Sequence, residues 1–177
     1  MMLFEKKIKT PLGEMLTMVC DDGICLLDFP YRKMMPHIRL RVVNHFGVEP
    51  IQNEHVLFNE LEEQLNAYFN GELQTFDLLL HLIGSDFQKQ VWQALQTIPY
   101  GKTRSYKQQS IFLGNEKAIR AVAKANGENC LAILIPCHRV IGENGSLIGY
   151  AGGLRNKEWL LCHEQKWSGM LQQQKLF

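Results

Sequence analysis

Apolar and polar positions alternate from Met15 onward, with Leu16, Met18 and Cys20 on one parity, and a second apolar run occupies 24–27 after Asp22-Gly23. Two such runs about a turn dipeptide predict a β-hairpin over 15–29, which places Cys20 and Cys25 on strands. From Asn53 to Asn70 the period lengthens. Leu57, Leu61, Leu65 and Tyr68/Phe69 recur at helical spacing, and Asn70-Gly71 supplies a left-handed stop, so an amphipathic helix is expected there. The stretch 75–83 is nearly all apolar and reads as a buried strand. Gly84-Ser85-Asp86 then punctuates the chain and marks a domain boundary.

The second half reads as compact and helical. Phe87, Val91, Trp92, Leu95 and Ile98 form one apolar stripe behind an Asp86 cap, and Pro99 and Gly101 break the helix. Ser105-Tyr106-Lys107-Gln108 fits a capping box opening a short helix that Gly114 ends. Asn115 caps the next, 116–125, whose Ala118, Ala121, Val122 and Ala125 mark one face. Two short helices about Leu113-Gly114-Asn115 resemble a helix-turn-helix. The alanines fit either tight internal packing or close approach to a partner surface.

With 46% hydrophobic and 21% charged residues in 177, the composition is that of a globular chain of one large or two small domains. No stretch reaches the ~18 apolar residues of a membrane span, and five cysteines without pairing motifs suit a reducing compartment. A cytoplasmic protein without membrane contact is expected. The net charge of +1 hides an asymmetry, because Lys89, Lys102, Arg104, Lys107, Lys117, Arg120 and Lys124 stand against one acid, Glu116, between 87 and 125. That run fits a phosphate-facing surface or an ordinary solvated helix face.

Chemistry concentrates after the buried-looking run 131–135, where Pro136-Cys137-His138-Arg139 puts a thiol, an imidazole and a guanidinium together. A cysteine becomes nucleophilic when its thiolate is favoured, and a neighbouring histidine needs a carboxylate to orient it. Glu164, in Cys162-His163-Glu164 near the end of a helix, is the candidate. Neighbours on an extended chain point to opposite sides, so His138 reaches Cys137 through a bend at Pro136 or a bridging water. A buried core thiol is the alternative.

Ile135-Pro136-Cys137-His138-Arg139-Val140 resembles the active-site signature of the O6-alkylguanine-DNA alkyltransferases. The resemblance runs on through Gly149-Tyr150-Ala151-Gly152-Gly153-Leu154 and 157–164, and back through 115–122 to 87–92. It is looser in the N-terminal half, at Thr10-Pro11-Leu12-Gly13 and the hairpin behind it. It implies an α+β fold: a ribonuclease H-like sheet-and-helix domain over 1–84, a winged helix-turn-helix alkyltransferase domain over 85–168, and a loosely held tail over 169–177.

Carried across by motif, the resemblance makes Cys137 the alkyl acceptor, His138 its water-mediated base and Glu164 the carboxylate behind His138. Tyr106 becomes the proton donor toward N3 of the leaving guanine, and Asn129 orders the turn beside the site. Arg120 fills the gap left by a flipped nucleotide. Lys117, Ala118, Ala121 and Lys124 share its DNA-binding helix, which in this family enters the minor groove of double-stranded DNA. Tyr150, Ala151 and Pro136 line the guanine pocket. The chain departs from the pattern at Cys130, where the family usually has proline after the asparagine. A mammalian member holds zinc in its N-terminal half; Cys20, Cys25 and His81 look like an incomplete set, so neither metal nor cofactor is expected. A monomer making one self-inactivating transfer follows. The rivals are a non-catalytic binder of alkyl damage and a turnover thiol hydrolase.

Overall fold

The structure is a computed structural model that describes residues 2–174. It has two compact units: the chain up to Ser85 joined by Cys130–Leu134, and Asp86–Asn129 with the chain from Ile135 onward. The boundary falls at the Gly84-Ser85-Asp86 punctuation, but 130–134 leaves the surrounding sequence to complete the first unit.

In the first unit β1 (Phe4–Thr10), β2 (Gly13–Cys20) and β3 (Gly23–Asp28) form an antiparallel sheet in sequence order, with a register shift at Met18/Val19. Thr10 makes the first corner, its hydroxyl donating to Gly13 O and accepting from Leu12 N. The hairpin of β2 and β3 matches the expectation over 15–29. Strand β1 was not foreseen, because its Lys and Glu residues obscure the alternation. Met15, Met18, Ile24, Leu26 and Leu27 are fully buried. Each such side chain contributes about 1.5–3 kcal/mol.

Helix α1 (Met35–Phe46), also unforeseen, packs on β3 and ends at Gly47 in the left-handed region. Helix α2 (Val56–Phe69) packs on β1 through Phe58, Leu61, Leu65 and Tyr68; the left-handed stop is at Gly71, φ 78°.

The buried strand expected over 75–83 is instead an extended segment with one bridge, Leu80 to Ile24, held by Ile24 N to Leu79 O (2.8 Å) and His81 N to Ile24 O (2.9 Å). Leu79 is 65% exposed, so its apolar character does not report burial. Gly23 permits this docking, since a Cβ there would lie 2.7 Å from Leu79 O. Leu27 pairs with the returning segment, donating to Cys130 O and accepting from Ala132 N. Donor atoms of Cys20, Asp22 and His81 lie within 4.8 Å of one another. Cys25 is not among them, its thiol meeting Met18 O.

The second unit comprises α3 (Asp86–Gln96), β4 (Arg104–Ser105), α4 (Tyr106–Phe112), α5 (Ile119–Gly127), β5 (Val140–Ile141) and α6 (Leu154–Gln174). Asp86 is the first residue of α3 itself, and Phe87 is 39% exposed, outside the buried stripe of Val91, Trp92 and Leu95. Trp92 Nε1 donates to Ala125 O at 2.8 Å, fastening α3 to α5. Strands β4 and β5 pair in parallel. The glutamine-rich stretch expected to be loosely held continues α6 to Gln174; 175–177 lie outside the described residues. No helix among the described residues is long and apolar enough to cross a membrane.

Candidate active site

Pro136 leads into a single 3-10 turn, Cys137–Arg139, a bend of the kind that the sequence offered at this point beside a bridging water. Three residues complete such a turn, so successive side chains diverge by about 120°. His138 Nε2 meets Glu164 Oε1 at 2.7 Å, both residues fully buried. Arg139 donates to the same carboxylate twice, Nε to Oε2 at 2.8 Å and Nη2 to Oε1 at 3.0 Å, and its Nη1 reaches Ile98 O at 2.6 Å. Gly101 N adds a bond to Glu164 Oε2 at 3.1 Å.

Burial pushes the Glu164 carboxyl up, but the hydrogen bonds and charges of His138 and Arg139 outweigh it and hold the group below the usual carboxylate range. Burial lowers His138 below its ordinary value, against the opposing pull of Glu164. The histidine is therefore neutral at pH 7, with its one N–H on Nε2 facing a fixed carboxylate. Its other nitrogen, Nδ1, is buried and has no hydrogen-bond partner among the described residues. A lone pair in that position is a base.

Cys137 is 6% exposed. Asn129 Nδ2 donates to its Sγ at 3.2 Å and to Ile135 O at 3.0 Å, so one amide fixes the backbone before the turn and solvates the sulfur. Donation to sulfur favours the thiolate. Tyr106 begins α4 behind the expected capping box: Gln108 N donates to Ser105 Oγ and Ser105 N to Gln108 Oε1. Burial raises the Tyr106 phenol, a hydrogen bond with Asn126 opposes this, and Cys137 adds to the rise. The hydroxyl stays protonated. Tyr150 packs edge-on against His138, ring centroids 6.4 Å apart, so it is no solvent-side loop residue.

Asn115 caps the 3-10 turn Glu116–Ala118 that precedes α5. Val122 and Ala125 face inward, whereas Ala121, Lys117, Arg120 and Lys124 are exposed and Ala118 is half-buried. The four-residue face read from the sequence is thus divided, with Ala121 outside among the cations. A cleft of about 440 Å³ joins α4, α5 and the following loop, lined by Tyr106, Ile119, Arg120, Gly142, Ile148 and Gly149 among others.

The structure brings Cys137, His138, Glu164 and Asn129 into one buried network, with Tyr106, Tyr150 and Pro136 bordering it and half-buried Ala151 in the turn before α6. Arg139 and Lys157 join the site without being predicted for it. Arg139 carried a signal in the sequence, a charge between apolar flanks beside His138; the place of Lys157 on α6 had none.

A buried thiol, next in the chain to a buried histidine–carboxylate pair, thus lies on a unit that also bears two short helices and an exposed basic face. Two family models match: 6-O-methylguanine DNA methyltransferase, ribonuclease-like domain, over residues 3–82, and 6-O-methylguanine DNA methyltransferase, DNA binding domain, over residues 86–166. A methylated-DNA–protein-cysteine methyltransferase of Methanosarcina barkeri is 46% identical over 158 residues, 89% of this chain and 94% of the relative. One from Salmonella typhimurium is 44% identical over 166 residues, covering 92% and 95%. The crystal structure of Mycobacterium tuberculosis OGT in complex with DNA has a TM-score of 0.80 at 39% identity, covering 93% of this chain and 94% of that one. The chain belongs to the 6-O-methylguanine DNA methyltransferase family.

Proposed function

We propose that this protein is a DNA-repair alkyltransferase, a methylated-DNA–protein-cysteine methyltransferase, that moves an alkyl group from O6 of guanine in duplex DNA to Cys137 once per molecule. The observation that carries this reading is the Cys137 sulfur receiving Asn129 Nδ2 at 3.2 Å, beside a buried His138 whose Nε2 is committed to Glu164. His138 Nδ1 takes the thiol proton through a bridging water, and Glu164 stabilises the charge that results. The sulfur then forms a bond to the alkyl carbon as the bond from that carbon to O6 breaks. The electron pair leaves with guanine, and the Tyr106 hydroxyl supplies a proton toward N3.

Because O6 lies within the base stack, a buried sulfur reaches it only if the nucleotide rotates out of the duplex. Arg120, exposed on α5 beside the cleft, fills the gap, while Lys117 and Lys124 meet phosphates. Ala118 and Ala121 let the helix approach the floor of the minor groove closely. Tyr150, Ala151 and Pro136 border the flipped base. The protein acts as a monomer without a cofactor.

The test is intact-protein mass spectrometry after incubation with excess duplex carrying one O6-methylguanine. One methyl increment on the Cys137 peptide is expected, with repair levelling at one equivalent, since a thioether offers water no activated centre to attack. Cys137→Ser should bind the duplex without transfer. Several equivalents repaired per chain, or methyl on Cys130 or Cys162, contradicts the reading; binding with no transfer points to a damage-binding protein.

A further inference from the structure

Lys157 is wholly buried in the first turn of α6, and no carboxylate pairs with it among the described residues. A buried ammonium without a counter-charge is costly unless its hydrogens are all engaged. Here they are: Nζ donates to Val140 O at 2.5 Å, Ile148 O at 2.7 Å and Gly149 O at 3.2 Å. An ammonium has three donors and no acceptor, so three carbonyls saturate it. The acceptors stand at the two ends of one loop. Val140 directly follows the Cys137–Arg139 turn, and Ile148 and Gly149 close the loop against the cleft they line with Tyr106 and Arg120. At Gly149 the wall is tight, because a Cβ there would lie 3.2 Å from Tyr106 Oη.

We propose that Lys157 is a positioning residue for alkyl transfer, its ammonium drawing the two ends of the loop together so that the wall beside Tyr106 holds the base against Cys137. This rests on the reading of Cys137 as acceptor. The geometry explains why lysine stands where an apolar side chain would bury more cheaply. A methionine reaches as far but offers the three carbonyls no donor, and arginine's planar fork cannot converge on three oxygens around one point. The charge also serves the site. Burial lowers Lys157 to about 8, while the nearby Cys137 opposes that fall, so a thiolate and this ammonium favour each other.

The experiment compares the full-length protein with Lys157→Met and Lys157→Arg. It measures the single-turnover rate at saturating O6-methylguanine duplex, the Kd for unmodified duplex, and amide hydrogen exchange resolved along the chain. Lys157→Met is expected to slow transfer roughly 10- to 100-fold, the scale of a lost positioning contact, with Kd unchanged and exchange accelerated in 142–153 but not in α3. Given long enough, it should still reach one methyl on Cys137. Lys157→Arg should also be slowed, with the same local exchange, and it decides the matter if the methionine variant does not fold. A wild-type rate in either folded variant overturns the proposal, as does exchange accelerated throughout the second unit. If the wild-type protein itself acquires no methyl on Cys137, the reading of the acceptor fails instead.

Discussion

Glu164 accepts from His138, twice from Arg139 and from Gly101, which leaves its carboxylate no freedom to rotate and fixes which nitrogen of His138 carries the proton. In the proposed transfer the remaining nitrogen, Nδ1, is the one that takes the thiol proton. Tyr106 acts at the other end of this proposed reaction, where a phenol raised above its ordinary value by burial suits a group that keeps its proton until the guanine anion develops. Tyr106→Phe removes one hydroxyl and should slow single-turnover transfer by roughly 10²- to 10³-fold, with duplex binding intact. An unchanged rate in rapid-quench measurements would remove Tyr106 from the mechanism. At this scale the sequence was informative where chemistry is packed into adjacent letters. Cys137 and His138 lie side by side, and Glu164 was reachable because a histidine needs an orienting carboxylate. The Asn129 amide on the sulfur was hidden, since its approach depends on how the chain folds between 129 and 137. Lys157 was hidden for the same reason, because three carbonyls from two other segments leave no trace in side-chain pattern.

Helix α5 and the turn before it divide their residues by use: Val122 and Ala125 inward, Lys117, Arg120, Ala121 and Lys124 outward. On the proposed reading, small and basic residues on one exposed face let the backbone approach DNA closely and leave cations to reach its phosphates. Affinity for duplex should therefore fall as salt rises, each phosphate contact contributing about −0.9 to the slope of log K against log salt. Arg120→Ala should reduce repair of duplex far more than dealkylation of a free O6-alkylguanine base, since only the duplex has a gap to fill. Equal losses on the two substrates would count against intercalation. Element-scale features were legible where local chemistry decides them. The Ser105 capping box stands as read, because a cap is a contact between near neighbours, whereas Asn115 caps only the 3-10 turn Glu116–Ala118 and the α-helix expected over 116–125 begins at Ile119. Strand β1 and the segment 75–83 were misjudged for one reason, that their states depend on distant partners. Lys-rich β1 is a strand because β2 pairs with it, and apolar 75–83 is not a regular strand because it meets β3 through one bridge.

Over the whole molecule the chain passes from the first unit to the second and back, Cys130–Leu134 returning to pair with Leu27 before Ile135 resumes the second. The expectation of contiguous domains missed this, for an apolar pentapeptide does not say which sheet it joins. The second unit carries the buried ionisable network, so its stability should depend on pH in a direction that the shifts determine. His138 is held below its ordinary value of about 6.5 by burial. As pH falls through that ordinary value, the unfolded chain takes up a proton that the native chain refuses, and stability declines. Glu164 acts in the same direction at lower pH. Its native value lies below the usual carboxylate range, so the stability it contributes is complete above about 4.3, the unfolded value, and is lost as pH falls further toward the native one. Lys157 titrates in a separate alkaline window: its native value of about 8 lies below the unfolded value near 10.5, so stability rises between them as the buried charge is relieved. The urea midpoint of unfolding should thus hold level just above pH 7 and drop progressively below about 6.5. Replacing Glu164 by Gln should lower the midpoint at pH 7 and flatten its decline under acid, because the carboxylate no longer distinguishes the two states. A wild-type midpoint that stayed constant from pH 7 to 4 would mean that His138 and Glu164 titrate alike in the folded and unfolded chain, against the buried network described above.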